Sequence, residues 1–345
     1  MAEYIKEKGF TIQSLASDPS PLLEGQVWYN TTSTVLKGYK AVLGTGAWAS
    51  GGALNTARAN LGGSGTQAAT IAMYGSPSTA VAETYDGSTW TNTTSANSQR
   101  YDGGSFGQLQ TAAGYCGGYG TGSPPLQSAL TEVWNGSTWT ETGDLQSGRQ
   151  GFYGGAGTTA AGLVAGSGPA DGATETFNGT SWSEVNNLVT ARQYAAVCGL
   201  TSTAAICVGG YGIPSASPFS NGPGSRVGLT EIWDGNSWTQ SANTLALGRI
   251  ESALSGTSTD AVIAGGSTGD PAPPTVTTAT AETWDGTSWT SVAAMSDVQK
   301  AGGSSSSGGS TTAIVFGGGP AGSVSASEEW TVPATTYATK TFTAS

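Results

Sequence analysis

Two kinds of ionisable residue recur along this 345-residue chain at spacings regular enough to invite a chemical reading. Glutamates stand at Glu83, Glu132, Glu175, Glu231 and Glu282, each seven residues before a tryptophan, and basic residues stand at Arg58, Arg100, Arg149, Arg192, Arg249 and Lys300, ten or eleven residues after one. Two carboxylates can cleave a glycosidic bond when their surroundings differ enough to keep one protonated and the other ionised. Five equivalent glutamates do not meet that condition and read instead as ties between strands or loops. A basic ring around a channel could grip an acidic sugar or carboxylate through forked hydrogen bonds. Its repetition in every unit argues for a scaffold duty, such as capping carbonyls or pairing with the repeat glutamates.

The rest of the composition excludes much. There is no histidine, which removes a Ser-His-Asp triad, a His-ligated zinc or copper site and an imidazole base together. The formal net charge of −11 would repel a phosphate backbone, so nucleic acid is not an expected partner. Cys116, Cys198 and Cys207 lack metal-ligand spacing and read as small core residues, although Cys198 and Cys207 are near enough to face each other across a hairpin. Neither a cofactor nor a metal is expected, and no enzymatic activity. No stretch approaches bilayer length, and the mixed charges of Met1 to Lys8 do not lead into a signal-peptide core, so neither membrane insertion nor general secretion is expected.

The elements that must position these residues are strands. Fifty-four glycines and no helical apolar stripe indicate an all-β protein, with 11 tryptophans and 12 tyrosines supplying the buried area. The repeated unit is Glu-x-aromatic-(Asp/Asn)-Gly-x-x-Trp, first seen as Glu83-Thr-Tyr85-Asp86-Gly87-Ser-Thr-Trp90. An Asp-Gly or Asn-Gly pair signals a two-residue hairpin turn, which sets Tyr85 opposite Ser88 and Glu83 opposite Trp90. Alternation then gathers Glu83, Tyr85 and Trp90 on one face. Upstream of each hairpin runs a short apolar strand, usually ending in paired glycines: 71–75, 114–118, 162–166, 205–210, 262–266 and 314–318. Six such strands imply six units.

Apolar strand, Gly-Gly, variable gap and Glu-aromatic-turn-Trp hairpin together resemble the kelch repeat, over about residues 47 to 332. The interval between successive glutamates, 43 to 56 residues, brackets the kelch period, which is about 50. The resemblance implies a six-bladed kelch-like β-propeller with four-stranded blades, covering 47–333, between an N-terminal arm with a β-hairpin at 1–46 and a C-terminal strand or tail at 334–345. Glu328-Glu329-Trp330 lacks a following turn and second tryptophan, and Gly46-Ala-Trp48 repeats the Trp-to-Arg spacing with no strand pair before it. The Trp48 strand is therefore expected to complete blade six and spare the array its exposed edges. The competing candidate is Thr339 to Ala344.

The segment Gly25-Gln-Val-Trp28-Tyr29-Asn30 to Tyr39 is similar to segments that open tail-fibre and virion structural proteins of tailed phages, especially marine ones. That resemblance implies location in the virion, attachment through Trp28, Tyr29 and Tyr39 to other virion proteins, and a propeller face free for a host glycan or receptor; copies of the chain could also associate in the particle. The alternatives are a free bacterial carbohydrate- or protein-binding propeller and, further off, a propeller-type polysaccharide-degrading enzyme. The long gaps after the apolar strands differ from unit to unit, and binding residues favour such loops on a rigid scaffold. Tyr119, Tyr211, Phe219, Asn221 and Arg226 are the candidate contacts there.

Overall fold

The computed structural model describes residues 12–42, 44–120, 126–167, 171–212, 225–268, 276–319, 322–334 and 336–342. Every regular element among them is a β-strand. The chain forms two compact units: residues 46–331, and a smaller one that combines 1–45 with 332–345.

The larger unit holds six sheets with antiparallel four-stranded cores. The first contains Gly62–Thr66, Ala69–Met73, Ala82–Tyr85 and Trp90–Asn92; the second Gly104–Leu109, Ala112–Cys116, Thr131–Trp134 and Trp139–Thr142. The third contains Ala156–Thr158, Ala161–Ser167, Asp171–Phe177 and Trp182–Val185; the fourth Ala196–Thr201, Ala204–Val208, Thr230–Trp233 and Trp238–Gln240, to which Tyr153–Gly154 adds in parallel. The fifth contains Ala253–Gly256, Ala261–Ala264, Ala281–Trp284 and Trp289–Val292. In the sixth, Gly303–Ser304, Thr312–Phe316 and Ser327–Thr331 take their fourth strand, Ala47–Ser50, from the other end of the unit, with Trp48 opposite Trp330.

The hairpin register differs from the two-residue turn expected. Tyr85 faces Trp90 and Glu83 faces Asn92, so the loop spans four residues. Of the Asp-Gly pair only Gly87 is left-handed, at φ +93°. Asp86 keeps an ordinary backbone because its Oδ1 closes the turn, accepting the Ser88 and Thr89 N–H groups at 2.9 and 2.8 Å. These bonds hold its carboxyl at a pKa of about 2. Asn135, Asn178, Asp234 and Asp285 accept the corresponding N–H groups in the other hairpins. Because strand faces alternate with period two, a register displaced by two leaves Glu83, Tyr85 and Trp90 on a common buried face.

That face meets the next sheet. Each hairpin packs its two aromatic rings together, with centroids 4.9 to 5.5 Å apart from Tyr85–Trp90 through Trp284–Trp289, and Trp48–Trp330 repeats the arrangement at 5.4 Å. Six apolar clusters lie between consecutive sheets, and one of them joins Ile314 and Phe316 of the sixth to Ala72, Tyr85 and Trp90 of the first. Indole N–H groups tie neighbours further: Trp182 donates to Thr131 Oγ1, Trp238 to Thr174 Oγ1 and Trp289 to Thr230 Oγ1, all between 2.8 and 3.0 Å. The three cysteines are free and buried; Cys198 is paired in register with Ile206 and Cys207 with Val197, so they do not face each other directly.

In the smaller unit, Val27–Asn30 and Val35–Val42 form the expected hairpin, flanked by Gln13–Leu15 in parallel and Thr336–Phe342 antiparallel. The C-terminal segment is thus a strand of this sheet and not a separate tail. Trp28 cannot be an attachment contact: it is fully buried, its Nε1 donating to Asp18 Oδ1. Tyr29 is 37% exposed and Tyr39 partly exposed.

If Ala47–Ser50 completes the sixth sheet energetically as well as geometrically, a chain cut to residues 51–331 will unfold at lower urea concentration than one cut to 46–331 and will self-associate through the bared Ser327–Thr331 edge. Denaturation midpoints and light scattering of the two truncations check this.

Candidate functional site

The linkers between sheets explain the repeated charges. Each carries an apolar anchor four residues before the arginine, at Leu54, Ala96, Leu145, Leu188 and Leu245, and each anchor is buried. The N–H groups that follow each anchor are accepted by the repeat glutamate: Asn55 and Thr56 on Glu83, Asn97 on Glu132, Gln146 on Glu175, Val189 and Thr190 on Glu231, Ala246 on Glu282. The guanidinium at the end of the linker closes on the same carboxylate, at 3.2 Å for Arg58–Glu83, 3.1 for Arg100–Glu132 and Arg149–Glu175, 2.9 for Arg192–Glu231 and 2.7 for Arg249–Glu282. Its other N–H groups reach carbonyls, as Arg192 reaches Gly209 and Leu229. Burial lowers the Arg58 pKa to about 10 against the pull of Glu83, which leaves it charged at neutral pH.

These five arginines therefore do not offer a basic ring to a ligand, since none is more than 2% exposed. Lys300 does not belong with them. In the sixth unit Met295 is the buried anchor, Gln299 follows it by four, and the Gln299 carbonyl accepts the Gly266 N–H as that of Arg249 accepts the Gly210 N–H. Glu328 still binds the linker, through Ser296 and Asp297. Lys300, one residue on and partly exposed, points its ammonium at Glu251 Oε2, 3.5 Å away. The anchor-to-arginine interval, had it been read in the sequence, would have selected Gln299.

Two residues beyond each arginine and beyond Gln299 the backbone turns left-handed, at Asn60, Asp102, Gly151, Tyr194, Glu251 and Ala301, with φ from 56° to 74°. These six residues are hydrogen-bonded in a circle. Each N–H donates to the carbonyl of its counterpart in the preceding unit, and Asn60 donates to Ala301, with lengths from 2.5 to 3.1 Å.

Side chains collect at this circle. Asp102 is buried, and its Oδ1 accepts the Tyr153 hydroxyl at 2.6 Å. Burial, reinforced by the nearby Glu251 charge and opposed by the Tyr153 bond, raises its pKa to about 6. Tyr194 lies 6.3 Å from Tyr153, centroid to centroid, and burial with the charges of Asp102 and Glu251 raises its pKa to about 12. Tyr101 and Tyr119, 5.5 Å apart, lie close enough to act on Tyr194 as well. A cleft of about 380 Å³ opens beside them, lined by Asn60, Ser76, Glu251, Lys300, Ala301 and Ser323 among others. Elsewhere side chains bridge strands of different sheets: Ser306 Oγ donates to Gly107 O, Ser307 Oγ to Gly65 and Gln108 carbonyls, and Gln108 Nε2 to Gly157 and Gly199 carbonyls.

Of the loop residues singled out in the sequence, Tyr119 joins this cluster. Tyr211 pairs in register with Gln193 and Arg226 in a short ribbon. Phe219 and Asn221 lie outside the described residues. Asp102, Tyr194 and Glu251 escaped the sequence reading because they occupy one position of the repeat with a different residue each time. Among the described residues no group of three or more cysteine, aspartate or glutamate side chains is arranged to hold a metal.

No protein-family model matches the chain, and no curated protein matches it. Among solved structures it is similar to YjhT, with 14% sequence identity over 83% of this chain and 96% of that chain, and a TM-score of 0.60. At that identity the likeness speaks to the fold alone, an all-β, propeller-like architecture.

Two outcomes follow. Arg192→Ala strands the buried Glu231 charge and will cost about 3 to 5 kcal/mol of unfolding free energy in urea titration, whereas a substitution of the exposed Glu141 will leave the midpoint unchanged. Asp102 titrates near 6 folded and near 3.8 unfolded, so the native state holds the extra proton between those values and this group's cost to stability grows as pH rises through that window. Asp102→Asn removes the cost, and its urea midpoint measured against pH will vary less than that of the parent between about pH 4 and 6.

Proposed function

We propose that the chain is a closed six-bladed propeller serving as a non-enzymatic structural and adhesion component of a tailed-phage virion, held to the particle by the smaller unit and presenting the circle end of its axis to a host glycan. The circle of six backbone hydrogen bonds is the observation that carries the closed six-unit reading, supported by the packing of the sixth sheet on the first. The virion reading rests on the resemblance of the N-terminal segment to phage structural proteins, and the separate compactness of residues 1–45 with 332–345 suits an attachment module. Tyr29 and Tyr39 remain the candidate contacts there. The repeat carboxylates and arginines are engaged with one another and with linker backbone, which favours scaffold over catalysis for them.

The test is incorporation. Particles assembled with a chain lacking residues 1–45 and 332–345 will lose the protein, while the truncated chain retains the near-ultraviolet signature of the ten tryptophans outside the smaller unit. Particles that keep the truncated protein, or a full-length chain that never accompanies particles and binds glycan as a free protein, would overturn the virion assignment in favour of an independent binding propeller.

A further inference from the structure

The backbone circle needs six left-handed residues, and glycine would serve at all of them without steric cost. Only position 151 uses it; Asn60, Asp102, Tyr194, Glu251 and Ala301 take the same conformation with side chains attached. Tyrosine and glutamate gain nothing locally from such a backbone, so the reason for keeping them lies in what the side chains meet.

Asp102 supplies it. The residue is 5% exposed, and its Oδ1 is committed to the Tyr153 hydroxyl. Its Oδ2 accepts no hydrogen bond from any described residue, yet the atom is not sealed from solvent. Glu251 stands within electrostatic reach, and its buried Oε2 has no hydrogen-bond donor, only the Lys300 ammonium 3.5 Å away. Two carboxylates against one ammonium leave the group one negative charge in excess. A buried carboxylate oxygen without a donor costs free energy that a cationic donor would recover. Tyr101, Tyr119, Tyr153 and Tyr194 surround the group with rings whose faces attract cations and stack on apolar surfaces. The adjoining cleft is lined by Asn60, Ser76, Ser323, Glu251 and Lys300, with Ala59 and Ala301 adding only two methyl groups, so it offers more hydrogen-bonding groups than apolar surface for a lysine stem.

Resting on the glycan-binding reading above, we propose that the circle end of the axis is a recognition site for an amino sugar with a free ammonium group, which donates to Asp102 Oδ2 in the field of Glu251 while the sugar hydroxyls occupy the polar cleft. Asp102 and Glu251 are the charge-reading residues, and Lys300 holds the second carboxylate in place.

The test is calorimetric titration of the full chain with glucosamine, glucose and N-acetylglucosamine at about pH 7. Glucosamine will bind at least about tenfold more tightly than either neutral sugar, a gap of about 1.4 kcal/mol. Asp102→Asn will erase that gap, and Glu251→Gln will narrow it. The parent titrated at about pH 5 will also show a narrower gap, since Asp102 then takes up a proton, with Glu251, Tyr101, Tyr115, Tyr153 and Tyr194 as the other titratable groups that face it and Lys300 beyond Glu251. The pH arm decides the matter should either variant fail to fold. Equal binding of the three sugars, binding of none, or an undiminished preference at the lower pH overturns the proposal, as does binding of Nα-acetyl-lysine amide where glucosamine is silent. A chain that adheres to host-cell envelopes equally well with Asp102→Asn refutes this site and spares the adhesion reading. Glucosamine binding with no envelope adhesion by the parent refutes the adhesion reading and spares the site.

Discussion

Each of the six larger sheets packs apolar side chains against a neighbour on both faces, and that constraint governs the rest of the structure. A stack of such sheets leaves two apolar faces bare wherever it ends, and burial at about 25 cal/mol per Å² makes each bare face costly. Among the described residues Ile314 and Phe316 of the sixth sheet lie in one cluster with Tyr85 and Trp90 of the first, so each of these two faces has a partner. Polar groups follow the same rule. Linker N–H groups that must leave one sheet before reaching the next are collected by a buried glutamate, which the arginine at the linker's end neutralises. A buried ion pair of this kind adds little net stability over an apolar substitute, but losing one partner is severe. Its repetition in five units suggests that it fixes the path of the linker, since the carboxylate binds chain and guanidinium at once.

The repeat was legible because its signals are local. Glu-x-aromatic-(Asp/Asn)-Gly-x-x-Trp sets a hairpin and its buried face within eight residues, and even the wrong turn length left the faces correct, the error being two residues and not one. Trp48 could be assigned to the last sheet for a similar reason: an orphan tryptophan with the right distance to Arg58 needed a partner, and Trp330 lacked one. What sequence reasoning missed depends on contacts between distant segments. The pairing of Thr336–Phe342 with Val35–Val42 has no local mark, nor does the burial of Trp28 against Asp18. Lys300 was placed with the arginines because the linker before it was measured from the tryptophan and not from the buried Met295.

The candidate site lies at positions where the repeat changes its residue from unit to unit. A repeat is legible at positions that keep their residue, and the six positions of the hydrogen-bonded circle do not keep theirs. Asp102, Tyr194 and Glu251 hold one structural position, share one backbone conformation and have three chemistries. The conserved backbone there belongs to the scaffold, and the divergent side chains carry the electrostatics: a buried carboxyl raised to a pKa of about 6 beside a second carboxylate and a group of tyrosines. The repeated charges, conversely, looked like a binding ring in the sequence and are enclosed in the structure.

The proposed closure depends on the meeting of the two ends of the larger unit in one sheet. Ala47 and Thr331 are paired in register and both are outward-facing, while Cys116, Cys198 and Cys207 are buried and will not compete. In the double variant Ala47→Cys, Thr331→Cys, mild oxidation should yield a monomer with one intramolecular disulfide, seen by mass spectrometry, and a urea midpoint above that of the reduced form. A chain that stays reduced, or that links only to other copies of itself, would contradict the closed arrangement.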